Sequence, residues 1–326
     1  MTMVFDGHSD LLYDVTRRRL LGEDHVLERR HLARLRRGGI EGLVLALWYG
    51  RGQGQTFWEG VPGGEDAGTR LEIMLACAQA EFAECPWLAV VRTAREAEAA
   101  RAEGKLYAFL AVEGMEAVGE GLEALDRLAA LGVRMGMLTW NEDNRFAAGA
   151  AQDPGKGLTP LGRQALRRME DLGMLIDVSH LNDAGFWEVL ELARGPVIAS
   201  HSNCRALCGV PRDLTDEQLR AIRDSGGVVG LNAHDRFVHR DPERRTAEVL
   251  ALHAARMAEV MGIEHVACGF DFCEFMGPPG NEAVRGLEDC GQVPAFFACL
   301  ERLGMSPAER DMVARGNLLR ILKGLR

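Results

Sequence analysis

The chain has no long apolar run. Nothing in it approaches the ~18 consecutive apolar residues that mark a membrane-spanning helix, and a helical membrane protein is excluded as the reading. It also has no excess of positive charge: 38 Lys and Arg stand against 48 Asp and Glu, a net charge of -10. Proteins that hold nucleic acid through its phosphates are basic, so no nucleic-acid partner is expected. The arginines at 17–19 and at Arg29, Arg30, Arg34, Arg36 and Arg37 read as solvated helix faces. Paired cysteines are missing too. None of the eight forms a CxxC, and the nearest pairs are Cys204 with Cys208 and Cys268 with Cys273. That spacing supports neither a disulfide framework nor a cysteine zinc site; these residues read as small buried hydrophobes. Residues 1–8 lack the basic region and apolar core of an export signal, which makes a cytoplasmic location the expectation.

What is present is one repeated unit: a short apolar strand, a loop, an amphipathic helix. Strands are expected at 4–6, 43–47, 106–112, 134–138, 175–178, 197–199, 228–231 and 266–268. They are apolar almost throughout, which suits parallel strands covered on both faces. Helices are expected at 69–84, 121–131, 160–172, 182–193, 242–261, 293–303 and 306–322. Thr159 and Pro160 form a start signal for the third of these. A ninth apolar run, 87–91, reads as an extra element between the second and third strands. Eight strand–helix alternations predict an α/β fold of the (β/α)8 TIM-barrel type. An open doubly wound sheet is the competing arrangement, but it should bring a GxGxxG after an early strand. Gly50-Arg51-Gly52-Gln53-Gly54-Gln55 has the wrong order for that. Residues 1–326 therefore read as one catalytic domain, with a loop at 50–68 near the site and C-terminal helices at 293–322 packed on the barrel.

Polar residues follow the strands, and in a barrel the C-terminal strand ends converge on one face. The convergent set is His8, Asp10, Glu113, His180, His201 and Asp271. Residues two apart at a strand end point the same way, so His8 and Asp10 can share one metal. A glutamate entering the barrel mouth is costly unless paired or metal-bound, and the two oxygens of Glu113 can bridge two ions. His180 and His201 each follow an apolar strand through a serine, as a metal pair on adjacent strands would. Five such ligands suffice for two borderline-soft ions.

In order, the motifs Asp6-Gly7-His8-Ser9-Asp10, Arg36-Arg37-Gly38-Gly39, Val112-Glu113-Gly114, Leu138-Thr139-Trp140-Asn141, Gly157-Leu158-Thr159-Pro160-Leu161-Gly162, Asp177-Val178-Ser179-His180, Ala199-Ser200-His201-Ser202, Gly269-Phe270-Asp271-Phe272 and Gly316-Asn317-Leu318 span nearly the whole chain. Together they resemble the membrane (renal) dipeptidase family, zinc metallopeptidases with an amidohydrolase-like barrel. The resemblance implies two zinc ions per chain, with other divalent ions as substitutes. His8 and Asp10 would hold one, His180 and His201 the other, and Glu113 would bridge them. It further implies that Arg212 grips the substrate's C-terminal carboxylate, as a guanidinium fork can, and that Asp271 moves protons. A homodimer is implied as well.

Two departures stand out. Trp140 occupies the position of a family histidine that polarises the scissile carbonyl, and an indole cannot carry positive charge. Phe270 replaces a small hydroxyl residue beside Asp271. Trp140 and its neighbour Asn141 are expected to contact substrate.

The expected function is a metal-dependent dipeptidase that uses a dizinc-bridging hydroxide and accepts a C-terminal D-residue. The alternatives are a dizinc hydrolase of another small amide, such as an N-acyl amino acid or a lactam, and a non-catalytic metal-binding barrel acting as an interaction module. No membrane partner is expected: the end, Ile321-Leu322-Lys323-Gly324-Leu325-Arg326, is too short and charged for a lipid-anchor signal.

Overall fold

The computed structural model describes residues 2–50, 57–277 and 283–324. Residues 51–56 of the expected loop over the site lie outside the described residues. The strands are β1 (Val4–Ser9), β2 (Ile40–Trp48), β3 (Leu88–Val90), β4 (Leu106–Glu113), β5 (Val133–Met137), β6 (Leu175–Asp177), β7 (Val197–Ile198), β8 (Val229–Leu231) and β9 (Val266–Cys268). Every ladder between them is parallel. The sheet runs β1-β2-β4-β5-β6-β7, with β3 paired to β4 off that path and β8-β9 as a separate pair. The run at 87–91 forms β3, which pairs with residues 106–108 of β4, while β5 pairs higher on the same strand.

The closed eight-stranded barrel expected from the alternation is not what the hydrogen bonds make. The sheet is curled but open. β7 passes to β8 through one bridge, Ala199 to Val229, and loop bonds such as Gly230 N–H to the Ala199 carbonyl at 2.8 Å. Between β9 and β1 there is no ladder among the described residues. The reason lies in Asp6. Its carboxylate accepts the Phe270 amide at 2.8 Å and the His8 amide at 3.4 Å, bonds a closed ladder would give to backbone carbonyls. Among the described residues, the backbone bond that crosses the seam is a long one, Asp271 N–H to the His8 carbonyl at 3.4 Å. Glycine permits the crowding: a Cβ at Gly230 or Gly269 would overlap the Ser200 carbonyl.

The interior is nevertheless filled as a barrel's is. Phe5, Val44, Phe109, Met135, Leu175, Ile198, Val228 and Ala267 pack into one inner core, and Leu318, Ile321 and Leu322 of the helix Asn317–Leu322 plug its base. A larger outer core joins strands to helices. Helix starts follow the sequence signals. Thr159 accepts the Gly162 amide at 3.0 Å, and Thr246 accepts the Val249 amide, so the expected helix at 242–261 begins in earnest at Ala247. All eight cysteines are free, six of them buried. Among the described residues no helix is long and apolar enough to cross a membrane.

Candidate metal centre

Each polar residue of the site stands at a strand end. His8 is on β1, and Asp10 holds the N-cap position of the helix Leu11–Leu20. Glu113 ends β4, and Gly114 follows at φ 76°, a conformation that glycine adopts without strain. His180, His201 and Asp271 follow β6, β7 and β9. All six are brought together. The Glu113 carboxylate faces both ways: Oε2 lies 3.2 Å from His8 Nε2, and Oε1 lies 2.7 Å from His180 Nε2 and 3.9 Å from His201 Nε2. His8 Nε2 is 3.7 Å from Asp10 Oδ1 and 3.8 Å from Asp271 Oδ1. The His8 and His201 rings stack at 3.8 Å. Two groups offer metal-ligand atoms within 4.8 Å of one another: His8, Glu113 and His201, and His8, Asp10 and Asp271.

The hydrogen bonds set the tautomers. His180 Nδ1 meets Asn141 Oδ1 at 3.0 Å, so that nitrogen donates and Nε2 keeps its lone pair. His201 Nδ1 lies 2.7 Å from Ser200 Oγ, which lies 3.3 Å from Ser179 Oγ, which donates to Asp177 Oδ1 at 2.6 Å. The chain ends on an acceptor, so every proton in it points toward Asp177 and His201 Nε2 is also bare. Two bare imidazole nitrogens 2.8 Å apart thus face a carboxylate oxygen. With Glu113 ionised these are three acceptors around one point, an arrangement that a cation satisfies. Both nitrogens of His8, Asp10 Oδ1 and Glu113 Oε2 are likewise buried without a hydrogen-bond partner. Outer partners that orient metal-bound histidines are the rule at such centres. The donor set, imidazole nitrogen and carboxylate oxygen, fits zinc and its neighbours.

The electrostatics agree. Burial pushes the Glu113 carboxyl up to about 8, although His8 pulls against it. Burial disfavours a charged His8, but the Glu113 and Asp10 carboxylates outweigh it and hold the imidazole well above its usual range. Burial first, then the positive charges around them, keep His180 and His201 well below theirs. Burial raises Asp271. Without an ion, the cluster gathers protons.

Arg212 is 7% exposed. It donates to the Ser179 carbonyl, to the His201 carbonyl at 3.2 Å and to Ser202 Oγ at 3.3 Å, and lies 3.4 Å from His180 Nε2. Its Nε is buried with no hydrogen-bond partner. Trp140 lies 6.2 Å from the His180 ring and 5.2 Å from Trp48, between centroids. Trp48 pairs in register with Glu113, so both face the mouth. Asn141 accepts from His180 Nδ1.

Sequence reasoning missed four residues. Asp6 spans the seam; Asp177 and Ser200 orient His201; Asn232 donates to Asp271 Oδ2 at 3.1 Å. The signal for Asp6, Asp177 and Ser200 lay in motifs already singled out, as second polar residues beside a ligand.

Comparison with protein-family models matches residues 1–325 to the family described as membrane dipeptidase (peptidase family M19). An uncharacterised protein of the pqqA 5′ region of Klebsiella pneumoniae is 38% identical over 234 residues, 68% of this chain and 84% of that one. An uncharacterised dipeptidase of Schizosaccharomyces pombe is 32% identical over 66% of this chain, but the match spans only 52% of that protein. Among solved structures, a Rhodobacter sphaeroides metallopeptidase with a bound phosphinate mimic of the dipeptide L-Ala-D-Ala superposes with a TM-score of 0.88 at 28% identity, covering 100% of both chains.

Proposed function

The chain belongs to the membrane dipeptidase family, and from that membership we propose that it hydrolyses the amide bond of short dipeptides in a metal-dependent reaction. The observation that carries the reading is the meeting of Glu113 Oε1 with the bare Nε2 atoms of His180 and His201, while Glu113 Oε2 faces His8. His8 and Asp10 would hold one divalent ion, His180 and His201 the other, with Glu113 between them. Two bound zinc ions would supply the Lewis-acid charge that polarises the scissile carbonyl and acidifies water toward a pKa of about 7.

The chain's own groups do the rest. Arg212 pairs with the substrate's C-terminal carboxylate and sets the register; its buried Nε still has a proton to give. Asp271 takes a proton from the attacking water and returns it to the leaving nitrogen. Asn232 holds one oxygen of Asp271 and leaves the other toward His8. The likeness to the Rhodobacter sphaeroides enzyme supports dipeptides ending in a D-residue as substrates.

The test is turnover of L–L and L–D dipeptides, each with a free or an amidated C-terminus, with metal content assayed on the same batch. Amidation should cut kcat/KM by at least about 30-fold, since breaking one partner of a buried charge pair costs about 2–5 kcal/mol. The Arg212→Met variant should no longer distinguish the two forms. Equal turnover of free and amidated substrates by the wild type would remove Arg212 from this role.

A further inference from the structure

The arginines that read as solvated helix faces divide in the structure. Arg29, Arg30 and Arg37 are largely exposed, but Arg17, Arg18 and Arg34 turn inward onto one buried network. Its hub is Asp14, one helical turn beyond Asp10. The fully buried Asp14 carboxylate accepts from Arg17 at 2.9 Å, from Arg18 at 2.8 Å and from His31 Nε2 at 2.9 Å. Arg34 approaches the other nitrogen of His31 at 2.8 Å. A guanidinium only donates, so His31 is neutral and passes its single proton to Asp14. Arg34 also donates to Glu274 at 2.5 Å.

The far end of this network is the segment that begins with Asp271. Glu274 is held by Arg34, the Phe275 carbonyl accepts from Arg17 at 3.1 Å, and the Phe275 ring meets the His31 ring edge-on at 5.6 Å. One short segment is thus pinned at three points, by Arg17 of the helix Leu11–Leu20, His31 of the π-helical Leu27–Leu32 and Arg34 of the helix Ala33–Gly38. It needs pinning. Asp271 has φ 56°, a left-handed conformation that aspartate adopts more readily than most side chains but at a cost its surroundings must offset. Beside Glu113, two carboxylates face His8: Asp10, whose helix carries Asp14, and Asp271, whose segment carries Glu274.

We infer that Arg34 and Glu274, anchored through His31 and Asp14, are positioning residues that hold Asp271 in its strained, reactive placement. The inference rests on the reading of Asp271 as the proton carrier. It assigns a task to four charged or polar side chains that touch neither metal ligand atoms nor substrate.

The test uses metal-loaded enzyme with Arg34→Gln and Glu274→Gln. Each should lower kcat by about 10- to 100-fold, the scale of a 1 Å misplacement, with KM and metal content unchanged. Arg34→Lys, which keeps the charge, should recover part of the loss. In an Asp271→Asn background, Arg34→Gln should cost nothing more, because the residue through which it acts is gone. A readout independent of turnover is the alkylation rate of Cys273, followed by peptide mass, which should rise several-fold in Arg34→Gln. Cys273 sits inside the pinned segment, with Sγ 3.3 Å from the Asp271 carbonyl. Full additivity of the two substitutions, or an unchanged Cys273 rate alongside an unchanged kcat, would overturn the inference. Failure of the dipeptidase reading is a different result: a wild type that turns over no dipeptide at full metal loading. The Cys273 rate still reports the pinning in that case.

Discussion

Removing the metal should cost this protein stability by an amount that can be bounded in advance. The perturbation is a strong chelator added to purified, metal-loaded enzyme at neutral pH. What is lost is the cation that Glu113 Oε1, His180 Nε2 and His201 Nε2 face together. A ligand held at about a thousand times its Kd stabilises the native state by about 4 kcal/mol. Unfolding entropy near the midpoint is roughly 2.1 cal/mol/K per residue, or about 0.7 kcal/mol/K for 326 residues. Each ion should therefore lift Tm by about 6 °C, and two independent ions by about 12 °C. Scanning calorimetry with parallel metal analysis reads this directly. A Tm that moves by under about 2 °C while both ions leave would overturn this expectation. It would mean that the cluster satisfies itself by protonation as well as by metal. A single step of about 6 °C would mean that one ion alone is held tightly.

Three further outcomes are expected. Asp271→Asn should keep the metal content and lose about 10²–10⁴ in kcat, the usual worth of a general base; a drop to one ion per chain would instead make Asp271 a ligand beside His8 and Asp10. Leu318→Ala, at the base of the inner core, should cost about 2–5 kcal/mol and some 3–7 °C in Tm with kcat unchanged; a full-stability variant would mean the plug contributes little. For Asp14, burial pushes its carboxyl up, but His31 and Arg18 outweigh that and hold it at about 2. A depressed carboxyl stabilises above the unfolded value near 4 and loses that contribution as pH falls through the folded value. The stability gap between wild type and Asp14→Asn, measured in denaturant with chelator present, should then shrink by about 2 kcal/mol from pH 6 to pH 2. A gap independent of pH would contradict it.

The site was legible because its chemistry is local. A polar residue directly after an apolar strand announces itself, and His8, Asp10, Glu113, His180, His201 and Asp271 all stand so. What was not legible depends on partners far off in the chain. The inward turn of Arg34 requires Glu274, and that of Arg19 requires Glu81 and Glu84; no helical periodicity contains those facts. The open seam was hidden for the same reason: Asp6 looks like any strand-end carboxylate until Phe270 is seen beside it. Helix ends went astray where capping competes with propensity. Thr246 starts a new helix inside the expected run at 242–261, and the run at 306–322 divides into Pro307–Asp311, a π-helical turn Met312–Gly316 and Asn317–Leu322.

The seam carries a consequence for how the chain is made. The Asp6 carboxylate leaves the ribosome long before its partner does: the amide it serves belongs to a residue 264 positions later. At about 5–20 residues per second, that partner arrives roughly 10–50 s afterwards. During that interval β1 has β2 on one side and no partner on the other, and for most of it His8 has no His201 to stack upon. The nascent chain thus offers an apolar strand edge and an incomplete set of metal ligands for tens of seconds. His201 is the last of the proposed metal ligands to be made, so the ligand set can be complete before residues 266–271, which close the seam beside β1, have emerged.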